Sequence, residues 1–217
     1  MQLYTKHAPR TWADIVGQDR AVKRVRAIAE REGFDRGAFW IDAAGTNNSG
    51  LGKSTIARVL ANTLADDFFV QELDGARLDK RAVQELQDTA CVRTWSSDKP
   101  YRVWIVNEAH AITAGALDLL LTFLEALPPH CVIVFTTTKR PDVDLFGDDD
   151  GPLMSRCFHI TLTNQGLAKA FATRAREIAR SENLDGKPES AYVRLVQGCK
   201  NNMRAVLQRI EAGEMLD

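Results

Sequence analysis

The stretch of sequence that decides the fold is NNSGLGKST, residues 47–55. It follows an apolar run at residues 38–41 and leads into a helical pattern that begins at Thr55. A strand, a glycine-rich loop and a Gly-Lys-Ser helix start are together typical of a phosphate-binding loop, in which backbone N–H groups surround phosphate oxygens. We therefore predict that Lys53 reaches the phosphates of a nucleotide and that the Ser54 hydroxyl is a ligand of Mg²⁺.

One residue of this loop departs from the usual pattern. The motif G-x-x-x-x-G-K-[ST] begins with glycine, whereas this chain has Asn47. Asparagine tolerates a positive φ angle better than most residues with a side chain, so we expect the loop to keep its turn. The alternative is a glycine-rich turn that merely leads into a helix, and it leaves the pair Lys53-Ser54 unexplained.

Composition excludes several classes of protein. The 217 residues are 45% hydrophobic and carry a net charge of −1, so any contact with nucleic acid would need a local basic patch. No apolar run is long enough to span a membrane, and the first residues lack the apolar segment of a signal peptide. The four cysteines show no C-x-x-C spacing, which favours reduced thiols in a cytoplasmic protein over a disulfide framework or a zinc site.

Apolar periodicity predicts strands that alternate with helices. The strands are expected at residues 39–43, 68–73, 101–106 and 131–137. Helices are expected at residues 18–32, 53–64, 79–91, 115–127, 164–180, 188–197 and 201–213, and residues 1–17 are expected to be an irregular arm. This alternation favours a parallel α/β sheet flanked by helices. Because only helical patterns follow Thr163, we predict a nucleotide-binding α/β domain over residues 1–163 and a small all-α lid domain over residues 164–217.

A second motif lies at the end of the third predicted strand. The run VWIVNE, residues 103–108, ends in Asn107 and Glu108, where ATPases with a phosphate-binding loop usually have two acidic residues. Glu108 is the predicted base that polarises an attacking water, although a polar residue that merely ends a strand is the alternative. Asn107 is predicted to contact the metal, but it carries no charge, so we expect weaker metal binding and reduced hydrolysis.

Several short motifs together resemble one family. In chain order they are Tyr4, PRTW at 9–12, DIVGQ at 14–18, the loop at 47–55, VNEAH at 106–110, LEALPPH at 124–130, Thr137-Thr138, SRC at 155–157 and Met203-Arg204. The set is similar to that of AAA+ P-loop ATPases of the sliding-clamp loader clade, above all the bacterial DNA polymerase III gamma/tau subunit and the small subunits of replication factor C. The resemblance covers residues 4 to about 212, and its SRC and LEALPP motifs are more specific to that clade than the loop is.

The resemblance implies a role for each matching residue. ATP would be held, with Mg²⁺, by Ile15, Val16, Asn47, Asn48, Ser49, Gly50, Leu51, Gly52, Lys53, Ser54, Thr55 and Arg204. Ser54 and Asn107 would lie at the metal, and the catalytic residues would be Lys53, Glu108, Thr138, Arg156 and Arg204. Thr138, rather than Thr137, would be the first sensor and Arg204 a second sensor within the same subunit. Arg156 would be an arginine finger that reaches the nucleotide of a neighbouring subunit. Alternatively, Arg156 is an ordinary ion-pair residue and Arg204 a solvated helix residue.

The resemblance also implies partners. They are other AAA+ subunits in a homo- or hetero-oligomer, a sliding clamp and primed DNA, with no membrane. Arg77, Lys80 and Arg81 form a local basic cluster that would face the DNA, although a solvated helix start explains it equally well. The printed sequence ends near the point where relatives continue into a helical collar, so we expect either a fragment-sized relative or assembly through another surface.

The predicted function is ATP-driven remodelling of the clamp-loading type in DNA replication or repair. One alternative is a nucleotide-binding structural subunit with little or no hydrolysis, which Asn107 favours. Another is a different AAA+ DNA-remodelling ATPase, such as a helicase loader, against which the SRC motif at 155–157 argues.

Overall fold

Five parallel strands form the sheet around which the chain is organised. The computed structural model describes residues 2–44, 49–95, 98–138 and 151–216. The strands are β1 Gly37–Ala43, β2 Val70–Asp74, β3 Arg102–Asn107, β4 Cys131–Thr136 and β5 Phe158–Leu162. They lie in the order β2-β3-β4-β1-β5, and every neighbouring pair is parallel. The predicted parallel α/β fold is confirmed.

Helices cover both faces of this sheet. They are α1 Leu3–Lys6, α2 Asp19–Ala29, α3 Lys53–Leu64, α4 Lys80–Ala90, α5 Ala114–Glu125, α6 Ala168–Ser181, α7 Glu189–Gly198 and α8 Met203–Glu211. Residues of α2, α3 and the last three helices share one apolar cluster with the sheet, and residues of α4 and α5 share another. None of the helices in the described part of the chain is long and apolar enough to cross a membrane.

The side chains of β1 show why both faces are covered. Successive residues of a strand point to opposite faces of the sheet. Phe39 and Ile41 lie in the cluster that contains α3, whereas Ala38 and Trp40 lie in the cluster that contains α5. All four are buried. A strand that is buried on both faces must be apolar at every position, which is why the run at residues 38–41 is uninterrupted.

Most predicted elements are present, and one is partly wrong. The helix predicted at residues 53–64 has those bounds in the structure. The strand predicted at 68–73 begins only at Val70, because Asp67–Phe69 forms a 3₁₀ helix closed by a hydrogen bond from the Phe69 N–H to the Asp66 carbonyl. That turn buries Phe69 and leaves Phe68 exposed, so two adjacent aromatic residues do not indicate a strand here.

Several elements of the structure lie where none was predicted. β5 lies at the edge of the sheet beside β1, and His159 and Thr161 interrupt its apolar residues. Its alternation of apolar and polar residues is the pattern of a half-buried strand, and it was missed because it lacks the continuous apolar run of the central strands. The segment expected to be an irregular arm contains α1 and a 3₁₀ helix at Trp12–Asp14.

The last three helices pack together and against the rest of the chain. Their buried side chains, such as Phe171 and Val206, belong to the same apolar cluster as Phe39 and Ile41 of the sheet. The predicted boundary at residue 163 follows the end of β5 and precedes α6. Because the apolar cluster continues across this boundary, the division into two domains stays a prediction.

A buried glutamine connects three distant parts of the fold. Gln18 is only 2% exposed. Its side-chain amide donates to the carbonyl of Thr163 at 2.9 Å and to that of Leu51 at 3.4 Å, and its oxygen accepts from the Thr163 N–H at 3.1 Å. Gln18 therefore ties the N-terminal segment to the phosphate-binding loop and to the chain that follows β5.

We predict that Gln18→Leu lowers the free energy of unfolding by about 1–3 kcal/mol, because leucine removes both hydrogen bonds to the backbone of Thr163 and the one to the carbonyl of the buried residue Leu51. Urea denaturation measures the change. Gln208→Leu, at an exposed position of α8, is the matched control and should change stability by less than about 0.5 kcal/mol. Equal stability of the two variants would contradict this account of Gln18.

Candidate nucleotide-binding site

The phosphate-binding loop turns through two glycines before α3 begins. Gly50 has a φ of 70° and Gly52 a φ of 103°, in the left-handed region that favours glycine. Gly52 is the N-cap residue of α3, whose first turn starts at Lys53. The N–H groups of a first helical turn have no partner within the helix and attract anions. Asn47 and Asn48 lie outside the described residues, so the predicted effect of Asn47 stays a prediction.

Lys53 is a buried cation at the start of α3. Only 6% of the residue is exposed. Burial lowers the pKa of its ammonium group, and the carboxylates of Glu108 and Asp42 oppose that shift. A charge with this little hydration interacts strongly with an anion that replaces the missing solvent. The side chain is therefore suited to phosphate.

Ser54 and Asn107, the two predicted metal-site residues, are in direct contact. The Ser54 hydroxyl donates to Asn107 Oδ1 at 2.8 Å, and the Thr136 hydroxyl donates to the same oxygen at 2.8 Å. Hydroxyl and amide oxygens are hard ligands of the kind that Mg²⁺ accepts, and Mg²⁺ usually keeps several waters and binds substrate phosphates as well. In the described ranges no group of three or more His, Cys, Asp or Glu residues could form a cage of protein ligands. The residues present fit a metal that is shared with a nucleotide.

Two further charged residues belong to this network and were not predicted. Glu72 accepts a hydrogen bond from Asn107 Nδ2 at 2.5 Å, and Arg58 donates to both oxygens of Glu72 at 2.6 and 2.8 Å. Burial raises the pKa of Glu72, but the hydrogen bonds from Arg58 and Asn107 outweigh this effect and hold the pKa below its usual value. No local pattern indicates the contact, because it depends on β2 lying beside β3.

The predicted catalytic base lies on a strained turn after β3. Glu108 has a φ of 51°, which is uncommon for a residue with a side chain. The Thr138 hydroxyl donates to Glu108 Oε2 at 2.5 Å, whereas the Thr137 hydroxyl lies 3.1 Å from His110 Nδ1. Thr138 is therefore the threonine in contact with Glu108. Gly75 packs behind this turn, where an added Cβ atom would lie 2.4 Å from the Glu108 carbonyl oxygen.

A cavity of about 560 Å³ opens above these groups. Of the predicted nucleotide-binding residues it is lined by Ile15, Val16, Ser49, Gly50, Leu51, Gly52, Lys53, Ser54, Thr55 and Arg204. Glu108 and Thr138 line it as well. The guanidinium of Arg204 lies 5.4 Å from the ring centre of Tyr4, which also lines the cavity. The volume is within the range of about 300–1,000 Å³ that is usual for sites of small molecules.

The start of α8 rests on the phosphate-binding loop. The Met203 N–H donates to the Gly50 carbonyl at 3.2 Å. A Cβ atom at Gly50 would lie 2.0 Å from Asn202 Oδ1, so only glycine allows this approach. The Asn202 side chain also caps α8 by accepting from the Ala205 N–H. The C-terminal helices thus contact the loop directly.

Arg156 lies apart from the other predicted catalytic residues. Its Nε donates to Glu125 Oε1 at 3.0 Å, and its Nη1 donates to the Pro152 carbonyl at 2.7 Å. The residues that line the cavity do not include it. Within one chain Arg156 is an ion-pair residue, and a role at the nucleotide would require a second chain.

The predicted basic cluster is exposed. Arg77 ends a short 3₁₀ helix, and Lys80 and Arg81 begin α4. Arg81 pairs with Glu85 at 3.1 Å. This pairing reduces the positive charge of the cluster, so its contact with DNA stays a prediction.

Comparison with known proteins finds a family model and several relatives that match this chain. The family model described as "ATPase family associated with various cellular activities (AAA)" matches residues 46–162. The gamma/tau subunit of DNA polymerase III from Mycobacterium tuberculosis (strain ATCC 25618 / H37Rv) is 29% identical over 166 residues, which cover 66% of this chain and 28% of that protein. The replication factor C small subunit of Methanoregula boonei is 26% identical over 220 residues, which cover 97% of this chain and 62% of that protein. The chain thus spans less than two thirds of the length of either relative.

A solved structure supports the fold. The chain is similar to a Thermotoga maritima RuvB Holliday junction branch migration motor, with a TM-score of 0.68 and 18% identity. The match covers 94% of this chain and 64% of that one. At this identity the likeness concerns the fold alone.

We predict opposite effects of the same substitution at two glycines. Gly75→Ala should lower the free energy of unfolding by about 1–3 kcal/mol, because the added methyl group meets the backbone of Glu108. Gly198→Ala, in α7, should be neutral or stabilising by up to about 1 kcal/mol, because alanine favours a helix and no atom lies closer than 3.9 Å. Urea denaturation of both variants measures the difference. Equal effects would show that the turn at Glu108 is not packed against Gly75.

Proposed function

The chain belongs to the AAA family of ATPases, and from that premise we propose that it is an ATP-hydrolysing subunit of a clamp-loader-type assembly in DNA replication or repair. The relatives named DNA polymerase III gamma/tau and replication factor C small subunit support this choice within the family. The observation that carries the proposal is the contact of Thr138 with Glu108, at the edge of a cavity that Lys53 and the phosphate-binding loop also line. A base, a cation and a row of N–H donors around one cavity are the groups that phosphoryl transfer to water requires.

In the proposed mechanism, the N-terminus of α3 and Lys53 bind the phosphates of ATP. Ile15 and Val16 line the end of the cavity that would take the adenine. Ser54 would hold Mg²⁺ directly, and Asn107, which accepts a hydrogen bond from Ser54, would support that hydroxyl. When bound, Mg²⁺ neutralises negative charge on the phosphate oxygens.

Glu108 would accept the proton of the attacking water. Thr138, which donates a hydrogen bond to Glu108, would orient that carboxylate. Arg204 would bring a positive charge from α8 to the terminal phosphate. Because α8 contacts Gly50 of the loop, we expect binding of ATP to change the position of the C-terminal helices relative to the sheet.

Arg156 would complete the site of a neighbouring subunit. It does not line the cavity of its own chain, and its partner Glu125 is 59% exposed, so the ion pair can open without disrupting a core. An arginine that approaches the phosphates from a second chain stabilises the negative charge of the transition state. The proposed partners are therefore other AAA+ subunits, and a sliding clamp and primed DNA are proposed from the names of the relatives.

Asn107 favours a second candidate function. A neutral residue at the metal site weakens the electrostatic stabilisation of Mg²⁺. The chain would then bind ATP as a structural subunit of the assembly and hydrolyse little or none of it. Both candidate functions require binding of ATP, and they differ in whether the chain hydrolyses it.

The first experiment compares steady-state ATP hydrolysis in the wild type and in Glu108→Gln. We expect kcat to fall by about 100-fold or more, because the amide cannot accept the proton of the attacking water. Glu85→Gln, at an exposed residue of α4, is the control and should keep the activity. A wild-type chain that binds ATP and does not hydrolyse it with its assembly partners would contradict the ATPase proposal and favour the structural subunit.

The second experiment tests Arg156 by mixing two inactive variants. Arg156→Ala and Glu108→Gln should each lose at least about 100-fold in kcat on their own. In the mixture, some interfaces pair an intact Glu108 with an intact Arg156 of the neighbour, so about a quarter of the wild-type activity should return. A mixture as inactive as its components would show that Arg156 does not act on a neighbouring subunit. Mass measurement with ATP and Mg²⁺ should show oligomers, and a monomer under all conditions would contradict the proposal.

A further inference from the structure

Asn107 lies between two hydroxyl groups and one carboxylate. On one side its Oδ1 accepts hydrogen bonds from Ser54 and Thr136 at 2.8 Å each. On the other side its Nδ2 donates to Glu72 at 2.5 Å. Both the oxygen and the nitrogen of the Asn107 amide therefore make hydrogen bonds to other side chains.

Glu72 determines which way the amide of Asn107 faces. An ionised carboxylate only accepts hydrogen bonds, whereas a hydroxyl group both donates and accepts. If the amide were reversed, its oxygen would face the carboxylate and the Nδ2–H of Asn107 would face two hydroxyls. The hydroxyls can pair with either end of the amide, whereas the carboxylate of Glu72 can pair only with its nitrogen. Glu72 therefore favours the orientation in which Asn107 Oδ1 faces Ser54.

The orientation of the amide controls the Ser54 hydroxyl in turn. Because Ser54 donates its hydrogen to Asn107 Oδ1, the lone pairs of its oxygen point away from Asn107. Those lone pairs are what a cation at the start of α3 would require. A reversed amide would donate to the Ser54 oxygen instead, and the Ser54 hydrogen would be directed elsewhere.

Glu72 also explains why an amide occupies position 107. An aspartate there would place a second carboxylate in contact with Glu72, and adjacent like charges are costly. Glu72 itself is held by the two hydrogen bonds from Arg58, and 35% of its side chain is exposed. The charged carboxylate of this pair thus lies on β2, at Glu72, and the neutral amide lies at the end of β3, at Asn107.

We propose that Glu72 is a positioning residue of the metal site, which orients the amide of Asn107 and through it the Ser54 hydroxyl toward the cation. The proposal rests on the proposed function, because it assumes that a divalent cation binds with nucleotide at Ser54. It concerns metal affinity and not the chemical step, so its test does not depend on hydrolysis.

The test measures the affinity for Mn²⁺, as a probe for Mg²⁺, in the presence of ADP by electron paramagnetic resonance. Three variants are compared with the wild type. Glu72→Met removes the acceptor. Arg58→Met together with Glu72→Met removes the acceptor and leaves the net charge unchanged. Glu72→Gln together with Asn107→Asp exchanges the carboxylate and the amide. In this exchanged variant the carboxylate of residue 107 accepts from Ser54, and the amide of residue 72 donates to residue 107.

We expect Glu72→Met and the double Met variant to bind Mn²⁺ about tenfold more weakly, because both lose the group that orients the amide. The exchanged variant should bind Mn²⁺ at least as tightly as the wild type, because its residue 107 again accepts from Ser54 and also brings a negative charge to the metal site. If only net charge mattered, the double Met variant would bind as tightly as the wild type, and that result would overturn the proposal. Glu85→Met, which breaks the Arg81–Glu85 pair on α4, is the matched control and should leave the affinity unchanged.

Other outcomes separate this inference from the proposed function. A wild-type chain that binds no Mn²⁺ with ADP would overturn both. Binding by the wild type and equally tight binding by Glu72→Met would overturn the inference alone. Failure of the exchanged variant to recover would also overturn it, because the variant restores the acceptor at residue 107. Thermal unfolding verifies that each variant is folded, and Glu72→Ala, which removes the same acceptor, takes the place of Glu72→Met if the methionine variants are not.

Discussion

The parallel pairing of β3 with β2 on one side and β4 on the other is the constraint on which the site depends. The register places Asp74 of β2 opposite Asn107 and Phe135 of β4 opposite Val106. Because parallel strands end at the same edge of a sheet, side chains from three strands meet where β3 ends. Glu72 and Thr136 reach Asn107 from opposite sides for this reason. Without both neighbours Asn107 would be an ordinary polar residue at a strand end.

The site holds a desolvated positive charge, at Lys53, which a bound anion would stabilise. Lys53 is nearly buried, and burial lowers its pKa although Glu108 and Asp42 lie nearby. The turn at Glu108 has a positive φ, and Gly75 packs against its carbonyl oxygen. Strain and desolvation of this kind persist where the surrounding structure holds the groups in place. The two apolar clusters on either face of the sheet provide that support.

The C-terminal helices contribute to the same site through backbone contacts. Met203 donates to the carbonyl of Gly50, and Asn202 occupies the space that a side chain at Gly50 would need. Gln18 makes a similar connection from the N-terminal segment to Leu51 and Thr163. The phosphate-binding loop is thus held from both ends of the chain. A change in the conformation of the loop on binding of nucleotide would therefore alter its contacts with the N-terminal segment and with the C-terminal helices.

Much of the fold was predictable because it depends on local patterns. The bounds of α3, the central strands and the loop follow from apolar periodicity and from the motif at residues 47–55. The edge strand β5 and the 3₁₀ helix at Asp67–Phe69 were not predicted. β5 alternates apolar Phe158, Ile160 and Leu162 with polar residues, a period of two that a search for continuous apolar runs misses. The 3₁₀ helix has adjacent aromatic residues, and packing against the rest of the chain decides its conformation.

The sequence by itself determined the family and the motif residues that line the cavity, since motif and spacing are properties of the chain alone. The tertiary structure decided how those residues act on one another. It brought Glu72 and Arg58 to Asn107, distinguished Thr138 from Thr137 at Glu108, and left Arg156 outside the cavity. The physical reason is that these contacts join residues 14 to 35 positions apart, and the order of strands in the sheet, which no local pattern encodes, determines which of them meet.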